Sequence, residues 1–125
     1  MKRKILFLLL LGLSVLLTAC NQKNFTGTRV ANPDSYRLDI EQMNGIDTHL
    51  MELEKGDVLG IRFETEKGSL YMEIISDNGE ILYAGGGNGI TDFTVNIHKS
   101  GVHTVHIEAH HAKGKIHIRK EEKTQ

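Results

Sequence analysis

The chain has 125 residues, 39% of them hydrophobic, with 15 Lys and Arg against 16 Asp and Glu and a formal charge of −1. That length supplies one small core and is too short for two domains, and a balanced to mildly acidic charge gives no electrostatic reason to seek nucleic acid or anionic lipid. A single cysteine excludes an internal disulfide.

The chain opens MKRKILFLLLLGLSVLLTAC. Lys2, Arg3 and Lys4 form a basic start, and residues 5–17 carry no charge. At about 1.5 Å per helical residue the apolar run reaches roughly 20 Å, short of a hydrocarbon core of about 30 Å. A basic start and a short apolar run fit a secretory leader better than a membrane span or a buried helix. The run ends in Leu17-Thr18-Ala19-Cys20, which resembles the lipobox of bacterial lipoproteins. The resemblance implies cleavage before Cys20 and attachment of diacylglycerol to its sulfur. Loss of residues 1–19, with Lys2, Arg3 and Lys4, leaves a mature chain of 106 residues carrying −4. One acyl chain anchors only marginally at about 0.8 kcal/mol per buried CH₂, so the two chains of a diacylglyceryl group give a stable hold. The expected location is the extracytoplasmic face of the cell membrane, with the membrane as partner through Cys20.

Residues 20–34 follow as the lipidated cysteine and a polar tether, NQKNFTGTRVANPD after Cys20, with the only proline at Pro33. A first strand can be accommodated near residues 25–30. Residues 35–119 then repeat one pattern, a short alternating run followed by a turn signal. Tyr36, Leu38 and Ile40 share one parity, as do His49, Met51 and Leu53, then Leu59, Ile61 and Phe63, then Leu70, Met72 and Ile74. After the turn signal SDNG comes EILYA, and ITDFTVNI supplies Phe93, Val95 and Ile97. VHTVHIEA supplies Val105, Ile107 and Ala109, and KIHIR closes with Ile116 and Ile118. Residues 120–125 form a charged tail. Apolar residues recurring at every second position exclude helices. About eight short strands at this spacing predict an all-β, antiparallel, jelly-roll-like β-sandwich.

GSLYMEIISDNGEILY, followed by DFTVNIHKSGVHTVHIEAHHAKGKIHI, resembles the C-terminal half of small β-sandwich lipoproteins of Gram-positive bacteria. Jelly-roll modules of the GOLD and pre-peptidase C-terminal type share the rhythm. The shared residues are structural, so the resemblance implies a fold and no catalytic group. His103 stands where that pattern has tyrosine.

Five of the seven histidines lie in residues 102–118. His103 shares the parity of Val105 and Ile107 and is expected inside. His106, Glu108 and His110 share the outer parity. A hairpin near HAKG would set Ala109 opposite Ile116 and Glu108 opposite His117. His106 and His110 are four strand residues apart, roughly 13 Å, too far for one ion with metal–nitrogen bonds of about 2 Å. The metal alternative is therefore His106–Glu108–His117 or Glu108–His110–His117, holding zinc or another divalent ion. Lys115 and Arg119, on the same face as His117, oppose it, and the solvated strand face is the preferred reading. GGGNG at residues 85–89 matches neither dinucleotide nor P-loop spacing and reads as a turn. Asp57 after EKG reads as turn chemistry, and no nucleophile elbow supports a hydrolase. The expectation is a non-catalytic binding or envelope lipoprotein without a cofactor. Its partner would be an envelope protein, peptidoglycan or a glycan.

Overall fold

The computed structural model describes residues 24–122. The leader, Cys20 and residues 123–125 lie outside the described residues. Six strands form the domain: β1 (Asn24–Asn32), β2 (Ser35–Leu53), β3 (Val58–Ile75), β4 (Ile81–Gly86), β5 (Gly89–Asn96) and β6 (Gly101–Lys120). All pairings are antiparallel, in the order β1-β2-β6-β3, with both β4 and β5 on β3.

Three strands are far longer than the runs seen in sequence. β2, β3 and β6 have 19, 18 and 20 residues, and each absorbs two predicted strands. Each bends near its middle, so a three-stranded ribbon folds over on itself. The two halves become the two layers of the sandwich. Residues 58–65 of β3 pair with β5 and residues 71–75 with β4. One layer therefore has five strands (β1, β2, β6, β3, β5) and the other four (β2, β6, β3, β4). The hydroxyl of Tyr36 bonds to Asp47, eleven positions along the same strand. On a straight strand those residues would stand roughly 36 Å apart.

The bends are built from polar residues and changes of parity. In β6 the buried positions are His103, Val105, Ile107 and Ala109, then Ala112, Gly114, Ile116 and Ile118. The exposed pair His110–His111 absorbs the change, and His111 has φ 46°. β2 changes parity between Ile40 and Met43, and β3 between Thr65 and Leu70. A bulge of this kind lets the inner face of each strand stay inner through the bend. Gly68 and Gly114 permit the close approach. A Cβ at Gly68 would stand 2.2 Å from the His111 carbonyl oxygen, and one at Gly114 would stand 2.1 Å from that of Glu64.

Every inward row expected from alternation lies in or against the core, with Phe93 partly buried and His49 half-buried. The expected hairpin in β6 does not form. Ala109 and Ile116 lie on one strand, and their neighbours come from β2 and β3. The strand allowed for near residues 25–30 forms as edge strand β1, over residues 24–32 of the stretch expected as tether. The expected tail starts late: Lys120 donates its amide to Asp34 (2.9 Å), and Glu121 to Val58 (2.8 Å).

Candidate functional site

β6 carries the histidines to opposite sides of the molecule. His106 and Glu108 lie on the outer face of the four-stranded layer. His106 pairs with Thr48 and Glu73, and Glu108 with Ile46 and Tyr71. His110 lies at the bend, opposite Ser69. His117, beyond the parity change, lies on the outer face of the five-stranded layer between Arg37 and Arg62. The core separates it from His106 and Glu108, so the arrangement expected for a metal is not assembled. Among the described residues no group of three or more His, Cys, Asp or Glu is positioned to hold a metal ion.

Each outer face has its own polar pattern. On the four-stranded layer the Tyr71 hydroxyl donates to Glu73 Oε1 (2.5 Å), and His106 Nε2 lies 3.2 Å from Glu108 Oε1. The bond to Glu73 pushes the Tyr71 pKa up, aided by desolvation and by the charges of Glu73 and Glu108. Tyr71 is thus held as a neutral donor. Ile46, Leu50 and Val102 are exposed on the same face.

On the five-stranded layer Arg37, His117, Arg62 and Asp92 form a row across four strands. His117 Nε2 stands 2.7 Å from Asp39 Oδ1, and Arg37 Nε stands 2.9 Å from Asp39 Oδ2. Burial pushes the Asp39 carboxyl up, but the bonds from His117 and Arg37 outweigh it and hold its pKa below the ordinary carboxylate value. A carboxylate depressed in the folded state contributes stability above its ordinary pKa and loses it on protonation. Asp39→Asn is therefore expected to cost up to about 1 kcal/mol near neutrality, as for exposed pairs. The gap from the parent should close as the pH falls through the depressed value. Urea titrations from neutral to strongly acid pH check this, and a gap constant across that range would refute it.

The most heavily engaged polar cluster was not singled out from the sequence. Asp47, 6% exposed, accepts from the Tyr36 hydroxyl and from Arg29 Nε (2.9 Å). Arg29 also donates to the Thr48 carbonyl (3.3 Å), and its guanidinium carbon stands 5.6 Å from the centre of the Tyr36 ring. His49 stacks on Tyr36 at 4.9 Å and bonds through Nε2 to the Asn32 carbonyl (3.0 Å). Burial raises the Tyr36 pKa strongly, and the bond to Asp47 adds to this. The cluster ties β1, on the five-stranded layer, to the far half of β2, on the four-stranded layer. It closes one open side of the sandwich, as Tyr83 against Phe93 (4.6 Å) closes the other. One signal pointed to it: Asp47 shares the inward parity of His49, Met51 and Leu53, and a carboxylate on an inward row needs a partner.

The remaining candidates have structural roles. Asp57 accepts from the Glu54 amide (2.8 Å) and closes the turn between β2 and β3. His103 is buried, with Nδ1 2.9 Å from the Gly101 carbonyl oxygen. Residues 87–88 of the glycine-rich stretch join β4 to β5. The surface depressions are open; one lies beside Gly27, Asp39, Glu66 and Lys113.

No family model matches the chain, and no curated protein matches it. A solved structure described as "CBM4 structure and function" aligns with 79% of this chain and 78% of its own, at 11% identity and a TM-score of 0.42.

Proposed function

We propose that the protein is a lipid-anchored, extracytoplasmic lipoprotein that works without catalysis, as a binding or structural component of the cell envelope. The observation that carries this reading is the leader ending in Leu17-Thr18-Ala19-Cys20, with its lone cysteine just ahead of a β domain that begins at Asn24. The use of the ionisable groups supports it. Arg29, Tyr36 and Asp47 hold an edge strand, Asp57 closes a turn, and His106 and His117 pair with carboxylates on open strand faces. Such faces suit a partner that presents an extended surface, such as an envelope protein, peptidoglycan or a glycan, more than a small molecule enclosed in a cleft.

Cys20→Ser, expressed in a bacterial host, is expected to lose the acyl mass, retain an unprocessed leader and change its distribution between membrane and soluble fractions. Unchanged mass and unchanged membrane association would overturn the reading.

A further inference from the structure

The start of β1 limits where the domain can sit. Only four residue steps separate Cys20 from Asn24. At the maximum reach of an extended chain they span about 14 Å. Asn24 pairs with Asn44, and Phe25 with Met43, which itself pairs with Ala112 of β6. The Asn44 side chain accepts from the His111 amide (3.2 Å). The tether therefore enters the domain at the end where β2, β3 and β6 all bend.

The opposite end is out of reach. The half of β2 from Gly45 to Leu53 is eight residue steps long, roughly 26 Å. That end carries the turns at residues 33–34, 54–57, 76–80 and 97–100. A tether of about 14 Å cannot run back along a domain half roughly 26 Å long, so the open end cannot be the end held at the anchor.

We propose that the bent end rests on the phospholipid headgroups and that the open end, with its four turns, projects away from the bilayer. The proposal rests on the reading of Cys20 as the lipid anchor. The chemistry of the bent end suits a headgroup surface. Lys67, Lys113, His110, His111, Asn44 and Asn88 are all exposed there. These side chains supply donors for phosphate oxygens, with Lys113 shared with Glu66 at 3.4 Å, so the contact is one of hydrogen bonding more than of net charge. The acyl chains hold the protein in the membrane, and the short tether sets which end touches it.

The test uses the full lipoprotein, purified with its anchor and reconstituted into phosphatidylcholine–phosphatidylglycerol vesicles that carry a headgroup-linked nitroxide quencher. Cys20 is acylated under this reading, so an added cysteine is the one free thiol. Lys67→Cys and Asn88→Cys report on the bent end, and Lys55→Cys and Lys99→Cys on the open end; all four positions are exposed. Each is labelled with an uncharged fluorophore. Loss of most fluorescence at 67 and 88, with little loss at 55 and 99, is the expected result. Equal quenching at the two ends, or the reverse order, overturns the proposal. Intact mass separates the two ways of failing. A diacylglyceryl adduct with equal quenching defeats the orientation and leaves anchoring standing. An unmodified Cys20 defeats anchoring and the orientation with it.

Discussion

Asp47→Ala is expected to destabilise the domain by roughly 2–4 kcal/mol, through a buried hydroxyl left without its acceptor and a lost charge-assisted bond. Tyr36 is fully buried in the parent, and Asp47 is the acceptor of its hydroxyl, so the substitution removes that bond from the interior. Arg29, about a third exposed, is partly rehydrated, which keeps the loss below that of a fully buried ion pair. Tyr36→Phe should cost less, about 0.5–1.5 kcal/mol, because Asp47 keeps Arg29. The same variant isolates a pH effect. Unfolded tyrosine ionises near pH 10, whereas burial and the bond to Asp47 keep folded Tyr36 protonated well above that. A group whose folded pKa is raised contributes stability below the unfolded pKa and loses it as the pH rises. The parent should therefore lose up to about 1.4 kcal/mol per pH unit above pH 10 from this group, and Tyr36→Phe should lack that loss. Urea unfolding of the protein without residues 1–20 measures both. An Asp47→Ala midpoint like the parent's, or identical alkaline profiles, would show that the cluster does not hold β1 in place.

Gly68→Ala is expected to cost roughly 3–5 kcal/mol, combining a left-handed backbone with a clash against two carbonyl oxygens. Gly68 has φ +66°, and its added Cβ would stand 2.2 Å from the His111 oxygen and 2.3 Å from the His110 oxygen. Neither oxygen can move unless β6 shifts at its own bend. Gly79 provides the control: it has φ +85° with nothing within 4 Å of an added Cβ. Gly79→Ala should carry only the backbone term, about 1–2 kcal/mol. The difference between the two variants in thermal or urea unfolding isolates the contact between the bends. Equal losses would mean that the β3 and β6 bends are not packed against each other.

Alternation is a local property, and the sequence determined by itself which residues face inward. Tyr36, Leu38 and Ile40 line the core, as do Leu70, Met72 and Ile74, and His103 beside Val105 and Ile107. A side chain's face on a strand depends only on its parity within the run. The turn role of Asp57 was legible for a similar reason, since its partner Glu54 is three residues away. The joining of the runs was not legible. A polar break with a glycine, such as ETEKGS or HHAKGK, has the same composition in a tight hairpin and in a bulged bend.

Backbone pairing across the sheet decided between the two. β6 is hydrogen-bonded to β2 on one side and β3 on the other along nearly its whole length. That is possible only if all three strands bend at the same level, and the register slips at the bend and recovers on leaving it. The bend then carried His117 to the face opposite His106 and Glu108 and removed the metal arrangement that a hairpin would have allowed. It also brought Asp47 to Tyr36, eleven residues away, and to Arg29, eighteen away. These groups lie on strand halves of opposite layers, and only the folding-over of the ribbon brings them within hydrogen-bonding distance.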